Sequence, residues 1–384
     1  MKVVIATDSY KGSLGAAEVS KNIETGFRKL FEDSEIKLLP MADGGEGTVK
    51  TLVEATGGFY EYLECLDPLG RTITTNFGVI NNEIAIIEMA AASGLTLLSE
   101  DELNPMLTTT YGTGELIKSA LEKGYKKIYV GLGGSATNDG GVGMAQALGY
   151  SFKDDDENEI GFGGGELGKI NYINCKNKHP LIEGAEITVI SDVSNKLCGN
   201  DGASYIYGPQ KGASKEMIME LDENLDILAA KVREFIGCEI SEIPGAGAAG
   251  GLGAGMIAFC NAKLRKGVDV MLDLLDFENV IKDADLVITG EGKLDSQSKY
   301  GKVPVGVALR AKKYNKPVVA IVGSREDDID EVYDLGIDFI QDIITRPMTL
   351  SEAIEDVDKL LVEAGKNVGR LMKFGRLYCE NSCS

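Results

Sequence analysis

The chain has 384 residues, of which 43% are hydrophobic and 26% are charged, as is usual for a globular protein long enough to build two cores. Its 39 Lys and Arg residues against 60 Asp and Glu residues give a net charge of −21. Because nucleic acids and anionic membranes attract clustered positive charge, this balance argues against both as partners.

The first part of the chain alternates strand and helix patterns. An apolar, β-branched run predicts a buried strand over residues 2–7, and apolar residues at helical spacing predict a helix over 16–31. A second strand over 36–39 and a second helix over 48–55 follow. Strands that alternate with helices imply right-handed crossovers, so an α/β fold with a parallel sheet is expected.

From residue 60 the pattern changes to successive strands, over 60–63, 72–79 and 83–88, with turns between them. A meander of this kind predicts a mixed or antiparallel sheet. Further along, helices are expected over 113–123 and 215–236, and strands over 126–130 and 186–191.

The end of the chain returns to strong α/β signals. Strands are predicted over 286–289 and 318–322, with a helix that begins at Pro304 between them, since proline is well tolerated in a first helical turn. We therefore predict two α/β domains. One is Rossmann-like with a mostly parallel sheet and is discontinuous (residues 1–66 and 282–384). The other is an inserted domain with a mixed sheet (residues 67–281).

Five of the predicted strands end in small residues together with an acidic residue. In chain order these segments are DSYKGS (Asp8, Ser9, Lys11), PMADGGEGT (Asp43, Gly44, Gly45, Glu46), GLGGSATNDGG (Gly133, Gly134, Ser135, Asn138, Asp139), SDVSN (Asp192, Asn195) and TGEGKLD (Gly290, Glu291, Gly292, Asp295). Ligands of open α/β sheets bind outside the carboxyl ends of the strands. We expect the five loops to meet at one such edge.

These residue types favour phosphate and metal chemistry. Glycine lets backbone N–H groups approach phosphate oxygens, and carboxylates can hold Mg²⁺. Phosphoryl transfer then needs mainly positioning, charge neutralisation and a base near the attacking hydroxyl. For any single loop, a turn capped for purely geometric reasons is an equal alternative.

Other catalytic motifs are absent from the sequence. Neither the Walker A spacing nor the protein-kinase H-R-D and D-F-G motifs occur, and His179 is the only histidine. A proton acceptor, if the reaction uses one, would therefore be a carboxylate.

Two segments resemble dinucleotide-binding loops. GLGGSA follows a predicted strand, but no acidic residue ends a strand about 20 residues later, as a ribose contact would require. GAGAAG (residues 245–250) follows Pro244 rather than a strand. An NAD(P)-dependent oxidoreductase of a small hydroxy acid therefore stays open as an alternative, as does a non-catalytic protein that binds a small ligand.

Four basic residues lie in glycine-containing turns of this acidic chain: Lys11, Arg71, Lys211 and Lys302. Lys302 directly precedes the helix that begins at Pro304, which is a plausible anion site. A solvated surface charge is the alternative for each of the four.

Taken together, the loops resemble the successive motifs of type-1 glycerate kinases. These are ATDSYKGSLGAAE, PMADGGEGT, TTYGTGELI, GLGGSATNDGGVGM, GPQKGA, GAGAAGGLGAG and DLVITGEGKLDSQSKYGKVPVGVA, in family order. The resemblance implies ATP-dependent phosphorylation of D-glycerate, usually at the 2-hydroxyl, by a Rossmann-like domain and a second α/β domain with the active site between them. The family commonly has proline after Asn195, where this chain has Lys196.

On this basis we predict residue roles and partners. Asp192, Asp43 and Lys11 are predicted to be catalytic. Glycerate would contact Asp8, Ser9, Lys11, Gly44, Gly45, Glu46, Arg71 and Asn138. ATP would contact Gly133, Gly134, Ser135, Gly290, Glu291, Gly292 and Lys302, and Mg²⁺ would contact Asp192, Glu291 and Asp295. Seven scattered cysteines and no apolar run of about 20 residues indicate a soluble cytoplasmic protein, which we expect to be a monomer or a homodimer.

Overall fold

The computed structural model describes residues 1–42, 44–45, 47–295, 298 and 302–382, and side chains up to residue 375. Its strands are β1 (Lys2–Thr7), β2 (Glu35–Leu38), β3 (Phe59–Leu66), β4 (Thr72–Ile80), β5 (Ile84–Glu88), β6 (Lys127–Gly131), β7 (Ser151–Lys153), β8 (Tyr172–Asn174), β9 (Glu186–Ile190), β10 (Lys263–Arg265), β11 (Leu286–Leu294), β12 (Val318–Arg325) and β13 (Phe339–Asp342).

The α-helices are α1 (Ala16–Arg28), α2 (Thr48–Thr56), α3 (Ala90–Ser93), α4 (Tyr111–Glu122), α5 (Val142–Ala147), α6 (Ala203–Tyr207), α7 (Lys215–Phe235), α8 (Leu252–Cys260), α9 (Gly267–Leu274), α10 (Phe277–Ile281), α11 (Val303–Lys312), α12 (Glu331–Asp334), α13 (Leu350–Glu355) and α14 (Val357–Ser382). Most helices and strands predicted from periodicity are present within a few residues of their expected ends.

One compact unit contains residues 1–43 and 268–384. Its sheet has the strand order β13-β12-β11-β1-β2, and every neighbouring pair is parallel. Helices α1 and α14 pack against each other closely, because a Cβ atom on Gly26 would lie only 1.9 Å from the carbonyl oxygen of Val362. The core is formed by apolar side chains of these elements, among them Ile5, Ile23 and Phe27.

The other unit contains residues 44–267. Its sheet has the order β10-β9-β6-β5-β4-β3, in which β3–β4 and β4–β5 are antiparallel and the remaining pairs are parallel. The α/β class, with one parallel and one mixed sheet, is confirmed. A short antiparallel pair, β7–β8, is attached to this unit.

The two units divide between residues 43 and 44 and between 267 and 268, whereas the sequence suggested boundaries after 66 and 281. Strand β3 pairs along its whole length with β4, which places it in the mixed sheet. The domain limits expected from the sequence stay a prediction.

One expectation is wrong: the five glycine-rich segments do not share the edge of a single sheet. The segments after β1 and at the end of β11 belong to strands of the parallel sheet, and those after β6 and β9 belong to strands of the mixed sheet. The segment after β2 starts from the parallel sheet, but its Gly44 and Gly45 pack on Ile190 and Gly133 in the unit that contains the mixed sheet. Periodicity identifies strands but does not show which strands pair, so the sequence could not separate the two groups.

Strand β11 is also longer than predicted. The glycines at 290 and 292 indicated a loop from residue 290, yet β11 continues to Leu294 and pairs with β12 throughout that stretch. Ladder hydrogen bonds with β12 outweigh the low strand propensity of glycine here.

Within the described part of the chain, no helix combines the length and apolar character needed to cross a bilayer.

Candidate functional site

The loop after β1 begins against the far end of β11. Asp8 donates its backbone N–H to the carbonyl of Gly290 (2.9 Å), and its side chain, from a residue 9% exposed, accepts from the N–H of Ser9 (2.6 Å). Tyr10 is buried, and its hydroxyl donates to the carbonyl of Ile321 (3.0 Å). The predicted residues Asp8 and Ser9 are therefore fixed beside β11, while Lys11 is exposed.

A close backbone approach requires Gly290 in β11, and Gly292 is in tight contact with the loop after β1. A Cβ on Gly290 would lie 2.1 Å from the carbonyl oxygen of Ile321, and one on Gly292 would lie 3.3 Å from the Cα of Tyr10. Gly290 and Gly292 therefore let β12 and the loop after β1 come close to the strand on either side of Glu291. This packing explains both glycines without a ligand.

An ionisable cluster lies at the end of β11. The Oε1 atom of Glu291, a residue 6% exposed, accepts from the hydroxyl of Ser298 (2.7 Å). The Oδ1 atom of Asp295 accepts from the ammonium of Lys302 (3.0 Å). Lys302 is also the N-cap residue of α11. The parallel sheet thus brings together three residues predicted for nucleotide or metal binding, Glu291, Asp295 and Lys302.

Burial raises the pKa of Glu291 to about 7. The hydrogen bond from Ser298 and the charge of Lys302 oppose this shift, while the negative charges of Asp8 and Asp295 add to it. A carboxyl group in such surroundings binds a proton or a cation more readily than one in water.

These carboxylates suit a magnesium ion held mainly by a nucleotide. Mg²⁺ prefers oxygen ligands, keeps several waters and usually takes only one or two carboxylates from the protein. Glu291 and Asp295 can supply these two. No group of three or more His, Cys, Asp or Glu side chains in the described residues is arranged to hold a metal by itself.

In the mixed sheet, the loop after β6 runs from Gly133 to Asp139. Gly133 packs against Gly45, since a Cβ atom there would lie 2.7 Å from the Cα of Gly45. Gly134 has φ +74, a left-handed conformation that glycine adopts without strain. Among the described residues, the backbone N–H groups of Gly133, Gly134 and Ser135 have no hydrogen-bond acceptor. These N–H groups can therefore donate to an anionic ligand.

The far end of this loop is fixed by buried side chains. Asp139 accepts hydrogen bonds from the backbone N–H and hydroxyl of Thr110 (both 2.8 Å) and from the N–H groups of Gly141 and Gly143. Burial raises the pKa of Asp139, and these donors oppose the rise. Asn138, predicted to contact substrate, is fully buried and donates to the hydroxyl of Ser204 (2.9 Å).

Asp192 follows β9 and is exposed. Its Oδ1 atom accepts from the backbone N–H of Gly267 (2.8 Å). Gly44 lies against the same strand end, because a Cβ atom on it would be 2.3 Å from a methyl group of Ile190. The predicted residues Asp43 and Glu46 lie outside the described residues.

The second dinucleotide-like segment, GAGAAG, has a packing role. The carbonyl of Asn195 accepts from the N–H groups of Gly245 and Gly247 (3.1 and 3.0 Å), and the carbonyl of Gly250 accepts from Gly140 (3.0 Å). The element that directly precedes this segment is helix α7 rather than a strand. It connects the loops after β6 and β9 from behind and lacks the strand–loop–helix context of a dinucleotide site.

Comparison with known proteins decides the family. The glycerate kinase family model matches residues 3–373. The chain is 47% identical to the glycerate 2-kinase of Escherichia coli, over 98% of this chain and 99% of that protein. It is 48% identical to the glycerate kinase of Haemophilus influenzae, over 97% and 99%. The crystal structure of a putative glycerate kinase 2 from Salmonella typhimurium has 44% identity and a TM-score of 0.89, over 98% and 99%.

The chain belongs to the glycerate kinase family. The resemblance seen in the sequence motifs is confirmed, and nothing in the comparisons supports an NAD(P)-dependent oxidoreductase. In this glycerate kinase family member, Lys196, at the position where the family commonly has proline, is exposed and forms an ion pair with Glu242.

The predicted substrate contact Arg71 already has partners. Its guanidinium donates to Asp67 and to Glu102 (2.5 Å each), and its side chain is 48% exposed. Both hydrogen bonds raise the pKa of Arg71. Whether it also contacts glycerate stays a prediction.

Sequence reasoning assigned no role to Ser298, to Thr110 or to Asp139, which the motifs contain. Ser298 lies three residues after Asp295, and such spacing signals a turn rather than a partner for Glu291. Thr110 and Asp139 are 29 residues apart, so only the tertiary structure joins them.

Proposed function

We propose that this protein transfers the γ-phosphoryl group of ATP to the 2-hydroxyl of D-glycerate and so forms 2-phosphoglycerate. The observation that carries this proposal is identity of 47% over 98% of the chain with a protein named glycerate 2-kinase. That name also supports the 2-hydroxyl as the acceptor. The motifs of the sequence and the glycine-rich loops with nearby carboxylates agree with a phosphotransferase.

For the nucleotide, we propose two binding regions. Gly133, Gly134 and Ser135 would donate backbone N–H groups to phosphate oxygens, since these groups have no acceptor among the described residues. Gly290, Glu291, Gly292 and Lys302 would form the second region, where Lys302 supplies positive charge at the start of α11.

Magnesium, when bound with ATP, would neutralise charge on the phosphates. Glu291 and Asp295 supply oxygen ligands from the end of β11, and Asp192 is the third proposed ligand. The exposed carboxylate of Asp192 accepts from the backbone N–H of Gly267, and carboxylate oxygens are ligands that Mg²⁺ prefers.

For the chemical step, we propose Asp192 or Asp43 as the group that accepts the proton of the glycerate hydroxyl. Lys11 is exposed at the loop after β1 and would steady the glycerate carboxylate or the moving phosphoryl group. The remaining proposed substrate contacts are Asp8, Ser9, Gly44, Gly45, Glu46, Arg71 and Asn138.

The deciding experiment measures ADP release from ATP with D-glycerate and Mg²⁺, and compares the protein with its Asp192→Ala variant. We expect turnover that requires all three components and is far above that of the variant. Phosphorus NMR of the product should show 2-phosphoglycerate. Ligand affinity without ADP release would refute the kinase proposal, and 3-phosphoglycerate as the product would refute the choice of hydroxyl.

The role assignments have a separate test. Asp192→Asn and Lys11→Ala should each lower kcat by roughly 100-fold or more, if both groups act on the transition state. The Lys196→Gln variant is a suitable control, because Lys196 is exposed and paired with Glu242. Near-normal kcat in both test variants would remove the assignments while leaving the reaction itself in place.

We further propose that the enzyme works in the cytoplasm as a monomer or a homodimer. The scattered cysteines support a reducing compartment. Sedimentation analysis at several protein concentrations would determine the assembly state.

A further inference from the structure

A buried lysine lies directly behind the loop that follows β6. Lys211 belongs to a short 3₁₀ turn, Pro209–Lys211, and is only 1% exposed. Its ammonium donates to the carbonyl oxygen of Thr137 at 2.6 Å, the only hydrogen bond of this ammonium in the described part of the chain. An uncharged hydroxyl or amide could satisfy the same carbonyl at a lower desolvation cost, so the choice of lysine calls for an explanation.

The contacts of the loop after β6 explain why a lysine occupies this position. Each of residues 137–139 forms a hydrogen bond with a different side chain: Thr137 with Lys211, Asn138 with Ser204 and Asp139 with Thr110. The neighbouring residues 133–135 carry the N–H groups that lack an acceptor. Anchoring residues 137–139 therefore limits the positions that those donors can take.

The contact at Thr137 has little room for adjustment. A Cβ atom on Gly250 would lie 2.0 Å from the same carbonyl oxygen, so the backbone of the glycine-rich segment closes the other side. The Thr137 hydroxyl and the Oδ1 atom of Asn138 are buried and have no partner in the described residues. Lys211 is thus the group that holds this carbonyl.

We propose that Lys211 is a positioning residue that holds the loop of residues 133–139 in its ligand-binding conformation through the Thr137 carbonyl. This inference rests on the proposed nucleotide-binding role of Gly133, Gly134 and Ser135. Lys211 itself is buried behind the loop and acts on a ligand only through it.

The surroundings of Lys211 disfavour the charge of its ammonium. Burial lowers the pKa of Lys211 to about 7, and the negative charge of Asp139 opposes that shift. Asp139 is the charged group that acts on Lys211 among the described residues, and its own carboxylate is occupied by Thr110 and two glycine N–H groups.

The test replaces Lys211 by methionine, which has a similar length and no charge, and uses Lys215→Met as the matched control. Lys215 is exposed at the start of α7, four residues further on. Two readouts are compared: the kinetic constants with ATP and D-glycerate, and hydrogen exchange of peptides that cover residues 131–143.

In Lys211→Met we expect the KM for ATP to rise about tenfold, with kcat and the KM for glycerate changed less than threefold. Exchange in residues 131–143 should become about tenfold faster, while peptides of the parallel sheet keep their rates. Lys215→Met should match the unaltered protein in both measurements.

Unchanged KM for ATP together with unchanged exchange in the loop would overturn the proposal. So would an equal loss in all kinetic constants accompanied by a lower melting temperature, because that result describes a general structural role. If the unaltered protein shows no kinase turnover, the proposed function fails, and the exchange measurement still decides whether Lys211 anchors the loop.

Discussion

The loop after β6 and the end of β11 are both rich in glycine, yet they are held in different ways. The loop is fixed mostly by uncharged partners and by backbone contacts, its own Asp139 is buried, and Lys211 is buried behind it. At the end of β11, the groups that approach one another are ionisable, namely Glu291, Asp295 and Lys302. The first arrangement suits fixed backbone donors, and the second suits a charged ligand or a cation.

Because the two regions are held in different ways, substitutions in them should have different effects on activity. Changes at the end of β11 should act on reaction rate and on its response to charge. Changes in the loop should act on affinity and local structure. Substitutions in each region, each with a matched control, test that distinction.

The largest effect is expected for Glu291→Gln, which keeps the shape of the side chain and removes its negative charge. We expect kcat to fall by about 100-fold, because a group that helps to hold magnesium and phosphate charge acts mainly in the transition state. ADP release at saturating substrates measures it.

The matched control is Glu326→Gln. Glu326 pairs with Lys293 (2.8 Å), which lies on β11, the same strand as Glu291. It should retain kcat within threefold. Equal activity of both variants would show that the charge of Glu291 has no part in the reaction.

Gly133→Ala tests the loop. The added Cβ atom would meet the Cα of Gly45 at 2.7 Å, and backbone cannot move aside as a side chain can. We expect kcat/KM for ATP to fall at least tenfold and the free energy of unfolding to fall by about 1–3 kcal/mol, measured by urea denaturation.

Gly184→Ala serves as the control, because a Cβ atom at Gly184 would meet no atom within 4 Å. If Gly133→Ala behaved like this control, the close packing of the loop on Gly45 would not matter for binding.

The two regions should respond to pH with opposite signs. The pKa of Lys211 is lowered from 10.5 to about 7, so the folded protein holds this proton less tightly than the unfolded chain. The contribution of Lys211 to the free energy of unfolding therefore rises as pH rises from 7 to 10.5, and it is lost as pH falls through 7. The pKa of Glu291 is raised from 4.5 to about 7, so its contribution is present below pH 4.5 and is lost as pH rises to 7.

For each of the two residues, the free energy of unfolding can change with pH by up to about 1.4 kcal/mol per pH unit. Urea denaturation of the protein in EDTA, at intervals between pH 4.5 and 10.5, measures both. Glu291→Gln should remove the acidic slope alone and Lys211→Met the alkaline slope alone. A variant with the slopes of the unaltered protein would contradict the corresponding shift.

The smallest effect is expected for Arg71→Ala. Its guanidinium already donates to Asp67, whose side chain is 2% exposed, and to Glu102, so glycerate would share this group with two carboxylates. We expect the KM for glycerate to rise about three- to fivefold with kcat unchanged, and Arg71→Lys serves as a comparison that keeps the charge. An unchanged KM for glycerate in Arg71→Ala would contradict the proposed substrate contact.

Much of the fold could be predicted from the chain because periodic apolar patterns act locally. The strand at residues 2–7 and the helix that begins at Lys215 were expected almost where they occur. The exceptions share a cause. The stretch of β11 beyond Gly290 is strand only because β12 pairs with it, and local propensity carries no information about that partner.

For the candidate site, the motifs predicted which residue types are present but not which contacts those residues make. Asp8 and Glu291 were selected as acids that follow strands, and the parallel sheet places them near each other. Ser298, Thr110 and Lys211 gain their roles from partners far along the chain or from burial. No spacing in the sequence predicts such contacts.

The α/β class, the family and the glycine-rich loops that follow the strands could all be predicted from the amino-acid sequence, because they depend on short-range patterns and on motif order. The strands that form each sheet, the acidic residues that lie near one another and the burial of Lys211 are known only from the folded chain. Those properties depend on long-range pairing and on burial, and both arise only when distant segments of the chain pack together.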